Sequence, residues 1–272
     1  MDKYGKIFEN IADVMNFYYE RTEVKDDEVL DYLFKHLLLD LYSIEKLLTQ
    51  EKDERCLLQA YTISRSMIET SMNFMYLLFY KDKRKQYKED SQLLLFKNEI
   101  ILINTIVKND LKLMITDEKF NFDALCKSIE TESFNKLTNN NQQCLLKVIK
   151  ANQFEITEES LKLLNKFFKN NFKPIHSSIE NLFIELNNKI KYEGIKQIDV
   201  RTVFYQDYNE ASQYVHGIFP LRKPQLYNLV RLCCNVFNNI GSCLRTVYNV
   251  QLPIELQNLI FNSHILLHPE DK

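Results

Sequence analysis

The chain has 272 residues, 45% hydrophobic and 26% charged, with a formal net charge of −2. That is a globular composition, long enough to bury a sizeable core. Four glycines and five prolines are too few to turn a many-stranded sandwich, a barrel or a βαβ series, and Gly5, Gly194, Gly217 and Gly241 stand too far apart for a phosphate-cradling loop. A pI near 6.3 supplies no global basic field, so a nucleic-acid site would have to be a local patch. The expected fold is all-α: an up-and-down helical bundle with a helical insertion in the middle third.

In chain order, apolar periodicity predicts helices over 2–20, 27–50, 54–81, 84–115, 121–150, 157–171, 174–192, 199–216, 224–250 and 253–262. Asp26-Asp27 fits the start of the second helix, whose Leu30, Leu33, Phe34, Leu37, Leu38, Leu41 and Ile44 recur at a 3.6 period. The Thr138-Asn139-Asn140-Asn141-Gln142-Gln143 run reads as a solvated loop. Thr157-Glu158-Glu159-Ser160 resembles a capped start, and Pro174 suits the first turn of the next helix. Gly217 and Pro220 should end the 199–216 helix. The stretch from about 108 to 160 is the most polar third. Residues 1–107 and 174–272 are therefore expected to form the bundle core, and 108–173 an inserted helical subdomain.

Cys56, Cys126, Cys144, Cys233, Cys234 and Cys243 form no C-x-x-C pair and have no ligand-spaced histidine, so neither a metal nor a cofactor is expected. Cys233, Cys234 and Cys243 fall in an apolar helical pattern and read as reduced core residues, which suits a cytoplasmic protein. The N-terminus opens no signal peptide, and the longest apolar run, Met67 to Tyr80, is broken by Glu69 and Asn73, so no membrane span is expected.

Three features carry polar chemistry. From Cys56 to Tyr80 the helix is apolar nearly all round, and its only charges are Arg65 and Glu69, spaced i,i+4 on one face. This should be the central helix, with Ala60, Ser64 and Ser71 admitting close neighbours. A buried ion pair stabilises little, so Arg65 and Glu69 read either as a structural clamp or as a functional pair. The second feature is the stripe Tyr205, Tyr208, Ser212 and His216, at spacings of 3, 4 and 4. His216 falls in the last helical turn, where the helix dipole favours its protonated form, and it can both take and give a proton near neutral pH. His36, His176, His264 and His268 have no comparable neighbourhood, and the last two are expected in a frayed C-terminus. The third is the helix from Gln225 to Leu252, which has no acidic residue. Its Arg231, Asn235, Asn238, Ser242 and Arg245 form one polar stripe. It reads either as arginines reaching for solvent or for Glu69, or as an anion-binding wall to which Arg222 and Lys223 add.

Ser64-Arg65-Ser66-Met67-Ile68-Glu69 resembles the R-S-x-x-E motif of the bacterial DUF5677 family, and Tyr205-x-x-Tyr208-x-x-x-Ser212-x-x-x-His216-Gly217 is similar to its tyrosine-led S-x-x-x-H motif. The resemblance covers roughly residues 25–107 and 174–250. That family in turn looks like the HEPN class of helical bundles, which often act as metal-independent ribonucleases in toxin–antitoxin and phage-defence systems and commonly pair as dimers. The HEPN motif places an arginine four to six residues before its histidine. Here Ser212, Ala211 and Glu210 stand in that window, so under the resemblance Arg65 would supply the cation. The resemblance thus implies either an RNase-like effector, or a non-catalytic binding or regulatory module of a phage-defence system. In the first, His216, Arg65 and Glu69 would be catalytic, with Tyr208, Ser212, Tyr205, Arg231 and Arg245 in binding roles. In the second, the partner would be a protein or a nucleotide. RNA or a nucleotide, a defence-system protein and a second copy of the chain are the partners expected; a membrane is not.

Overall fold

The computed structural model describes residues 3–50, 54–108, 137–151, 158–172, 174–176, 178–195, 200–215 and 225–267. Among them the secondary structure is helical with no strand, and the fold is all-α. The helices are α1 (Lys3–Arg21), α2 (Glu28–Gln50), α3 (Glu54–Phe79), α4 (Arg84–Lys108), α5 (Asn139–Ala151), α6 (Glu158–Asn171), α7 (Ile179–Tyr192), α8 (Val200–Val215), α9 (Leu226–Tyr248) and α10 (Ile254–Leu267). Two compact units result: residues 1–81 with 176–272, and residues 82–175. The helix α4, placed by sequence with the core, falls within the second of these units.

In the first unit α3 packs against α2, α7, α8 and α9, while α1 packs against α2, α9 and α10. The sequence explains the centrality of α3: Met67, Ile68, Met72, Phe74, Met75 and Leu77 are all fully buried. Ser64 and Ser71 are buried too, and each hydroxyl donates to a carbonyl three residues back, to Tyr61 and to Ile68, at 2.7 Å. A small side chain that satisfies its own hydroxyl lets a neighbouring helix come close without stranding a polar group. Gly241 of α9 does the same opposite α1, since a Cβ there would meet the Tyr18 ring at 3.0 Å.

Capping residues set the helix ends. Asp27 Oδ1 accepts from the backbone N–H groups of Val29 and Leu30 at 3.1 and 3.0 Å, the expected start of α2. Helix α7 begins at Ile179, capped by Ser178, whose hydroxyl accepts from Asn181 N–H at 3.2 Å; Pro174 lies upstream and not in the first turn. Gly194, at φ +66°, ends that helix, with its own N–H on the Lys191 carbonyl and that of Ile195 on the Ile190 carbonyl. The asparagine-rich run is not a loop. Thr138 accepts at its hydroxyl from Asn141 N–H and at its carbonyl from Gln142 N–H, so the run opens α5. Capping of the first turn outweighs the low helix propensity of asparagine. For the same reason no single helix spans 121–150, because Leu137 and Thr138 are not helical. The last helix continues to Leu267, so His264 is helical and not part of a frayed end.

The second unit has its own apolar contacts. Leu93, Phe96, Leu145, Phe167 and Phe168 are buried, and the Phe96 and Phe168 rings lie 6.3 Å apart. Helix α6 begins at Glu158, as expected, and Thr157 lies outside the described residues. No helix among the described residues is long and apolar enough to cross a membrane.

Candidate functional site

The i,i+4 spacing on α3 brings Arg65 and Glu69 together, and α8 delivers Tyr208 to both. Arg65 Nε donates to Glu69 Oε1 at 3.3 Å, and Arg65 Nη2 donates to the Tyr208 hydroxyl at 3.1 Å. That hydroxyl donates in turn to Glu69 Oε1 at 3.0 Å. The guanidinium also lies over the Tyr208 ring, 5.2 Å from its centroid. Phe183 of α7 meets the Tyr208 ring edge-on at 6.0 Å and fixes its plane.

The expected burial of the Arg65–Glu69 pair is not what the structure has. The Arg65 side chain is 23% exposed and that of Glu69 42%. An apolar helix does not have to be covered on every side, and the pair sits where α3 and α8 leave its charged ends within reach of water. Burial of the Arg65 stem disfavours its charge. The bonds to Tyr208 and Glu69 outweigh that and hold the guanidinium above its ordinary pKa. The Tyr208 phenol is pushed up as well, first by burial and then by Glu69, while Arg65 pulls it back. The three groups are therefore locked as cation, neutral phenol and acceptor.

The rest of the α8 stripe divides. Ser212, one turn beyond Tyr208, is half-buried, and its Oγ has no hydrogen-bond partner among the described residues. Tyr205 is 41% exposed and rests edge-on against Phe183 at 6.4 Å. His216, Gly217, Pro220, Arg222 and Lys223 lie outside the described residues, as do His268 and Cys126. His36 is half-buried, with Nδ1 3.4 Å from Asp40. His176 is packed edge-on to Tyr76 at 4.3 Å, and burial lowers its pKa although Glu185 acts the other way.

The α9 stripe is elsewhere. Arg231 and Arg245 do not pair with Glu69. With Asn235, Asn238 and Ser242 they line a cavity of about 860 Å³ between α1, α8, α9 and α10. Arg245 Nη2 donates to Ser242 Oγ at 3.0 Å, and Ser242 donates to the Asn238 carbonyl at 2.9 Å. Sequence reasoning found this wall and missed the one opposite. Asp207 of α8 is 7% exposed, and burial raises its carboxyl to about 6 although the Arg231 charge pulls it back. Asn10 and Tyr18 of α1 are buried and line the same space. A signal was present in Asn10, a polar residue within the apolar series Ile7, Phe8, Ile11, Val14.

Of the three cysteines expected in the core, Cys233 and Cys243 are buried, while Cys234 is half-buried and lines the cavity. Burial pushes the Cys234 thiol up to about 12 and raises that of Cys233 well above its ordinary value, so neither is a reactive thiolate. Among the described residues no three His, Cys, Asp or Glu side chains converge as metal ligands would. Comparison with protein families, with curated proteins and with solved structures finds no match to this chain.

Proposed function

We propose that the chain is a HEPN-like helical protein of bacterial defence or toxin type, and that Arg65 is the phosphate anchor of a metal-independent RNA-cleaving site. One observation carries this reading. Arg65 is held in a fixed pose by Glu69 and Tyr208 while part of its side chain stays open to solvent. A pre-positioned guanidinium suits a phosphodiester, because the group keeps its charge and needs no reorganisation on binding. His216 is the acid–base group of this reading. The ribose 2′-oxygen attacks the adjacent phosphorus, and its proton passes to a base. The bond to the 5′-oxygen breaks as that oxygen receives a proton, leaving a 2′,3′-cyclic phosphate and a 5′-hydroxyl. Histidine can serve either transfer near neutral pH, typically worth about 10²–10⁴-fold.

The same network favours a second reading. Each of the three side chains already has partners inside the protein, as in a clamp that fixes α3 against α8, and the chain would then be a non-catalytic binding or regulatory module. Incubation of the purified chain with RNA in the presence of a chelator separates the two. Cleavage lost in both His216→Ala and Arg65→Met, with folding intact by circular dichroism, supports the RNase reading. Intact RNA with wild type, or full cleavage by His216→Ala, overturns it.

A further inference from the structure

The cavity between α1, α8, α9 and α10 contains two buried polar atoms without hydrogen-bond partners among the described residues. The Tyr18 hydroxyl and Asn10 Oδ1 have no hydrogen-bond partner among the described residues, although the two residues are only 1% and 3% exposed. Buried polar groups are nearly always paired, and each exception calls for an explanation. Both residues line the cavity, whose size of about 860 Å³ lies in the range of small-molecule sites.

The charges in the cavity are not evenly placed. Arg231 and Arg245 stand about 21 Å apart along α9 at 1.5 Å per residue. Asp207 is the one carboxylate among the described lining residues, and it is Arg231 whose charge acts on it. At the other end, Arg245 acts on Tyr18. That end therefore pairs a guanidinium with an unused hydroxyl donor, and no lining carboxylate opposes them. Burial keeps the phenol protonated and so a donor. Asn10 Oδ1 offers an acceptor. Ile11, Val14, Phe237, Ile260 and Leu267 supply apolar surface between these polar groups.

We propose that this cavity binds a small organic anion, a phosphate or carboxylate on an apolar body that also carries a hydrogen-bond donor, with the anion between Arg245 and Tyr18 and the donor toward Asn10. The site is independent of the Arg65 cluster and of its RNA reading.

Calorimetric titration of the full chain tests it, with adenosine monophosphate for the phosphate class, 10-hydroxydecanoate for the carboxylate class, and inorganic phosphate as the bare anion. One organic anion should bind saturably and at least about tenfold more tightly than inorganic phosphate, and which one binds tells the two classes apart. Arg245→Met should weaken that binding about tenfold or more, and Tyr18→Phe by a smaller factor. Hydrogen exchange with the bound anion should slow in α1 and α9. Failure of both organic anions to bind overturns the proposal. So does affinity unchanged in a folded Arg245→Met, or protection confined to α3 around Arg65. If Arg245→Met does not fold, Tyr18→Phe and the exchange pattern decide.

Discussion

Two polar regions flank α8, and they are built on opposite terms. Toward α3, Tyr208 closes a ring of hydrogen bonds with Arg65 and Glu69 in which each group answers another. Toward α1 and α9, Asp207, Asn10 and Tyr18 are more deeply buried; the Asn10 amide donates to Ser263 Oγ at 2.9 Å, but Asn10 Oδ1 and the Tyr18 hydroxyl have no partner among the described residues. The first region is satisfied and open; the second holds two unpaired buried atoms in a cavity whose arginines reach solvent. Polar groups that pair with one another stabilise a fold by themselves, whereas buried groups left without partners are retained at a cost and point to something outside the chain.

The largest effect expected from this contrast is at Asp207. Its pKa is raised from 3.8 in the unfolded chain to about 6 in the fold. Below the lower value both states hold the proton and the group is neutral to stability. Above it the unfolded state ionises first, so the fold loses stability as pH rises from about 4 through 6. The full loss is roughly 3 kcal/mol at about 1.36 kcal/mol per unit. Asp207→Asn should therefore raise stability by up to that amount at pH 8 and by little at pH 3.5. Urea titrations at the two pH values measure it, and equal effects at both would place the destabilisation in packing instead of charge.

A sharper comparison removes one hydroxyl from each region. Tyr208→Phe loses two hydrogen bonds to charged groups and should destabilise by about 1–2 kcal/mol, discounted for its partial exposure. Tyr18→Phe removes a hydroxyl with no partner among the described residues and should be neutral or stabilising by about 1 kcal/mol in ligand-free protein. The melting temperature should fall for Tyr208→Phe and hold or rise for Tyr18→Phe; a fall in both would break the contrast.

The smallest effect is expected at Glu69. With its side chain 42% exposed, water replaces what Arg65 loses, and Glu69→Ala should cost about 1 kcal/mol or less, where a sealed pair would lose roughly 3–5. A loss in the larger range by chemical denaturation would show that the pair behaves as if buried.

The all-α class, the centrality of α3 and the cap at Asp27 were legible in the sequence, because periodicity and first-turn chemistry are local and repeat over many residues. The Arg65–Glu69 pairing was legible for the same reason, since i,i+4 neighbours on a helix must meet. The start of α5 at the asparagine run was not, because one capping threonine outweighs a composition that resembles loop. Nor was the partner of Arg65 decided locally: Tyr208 is 143 residues away in the chain and reaches it only because α8 packs on α3. The destination of the α9 arginines was equally undetermined. The sequence set them on one polar stripe, and tertiary packing turned that stripe away from Glu69 and toward α1. Periodicity fixes which residues share a face of a helix, and only the packing of helices distant in sequence determines what that face meets.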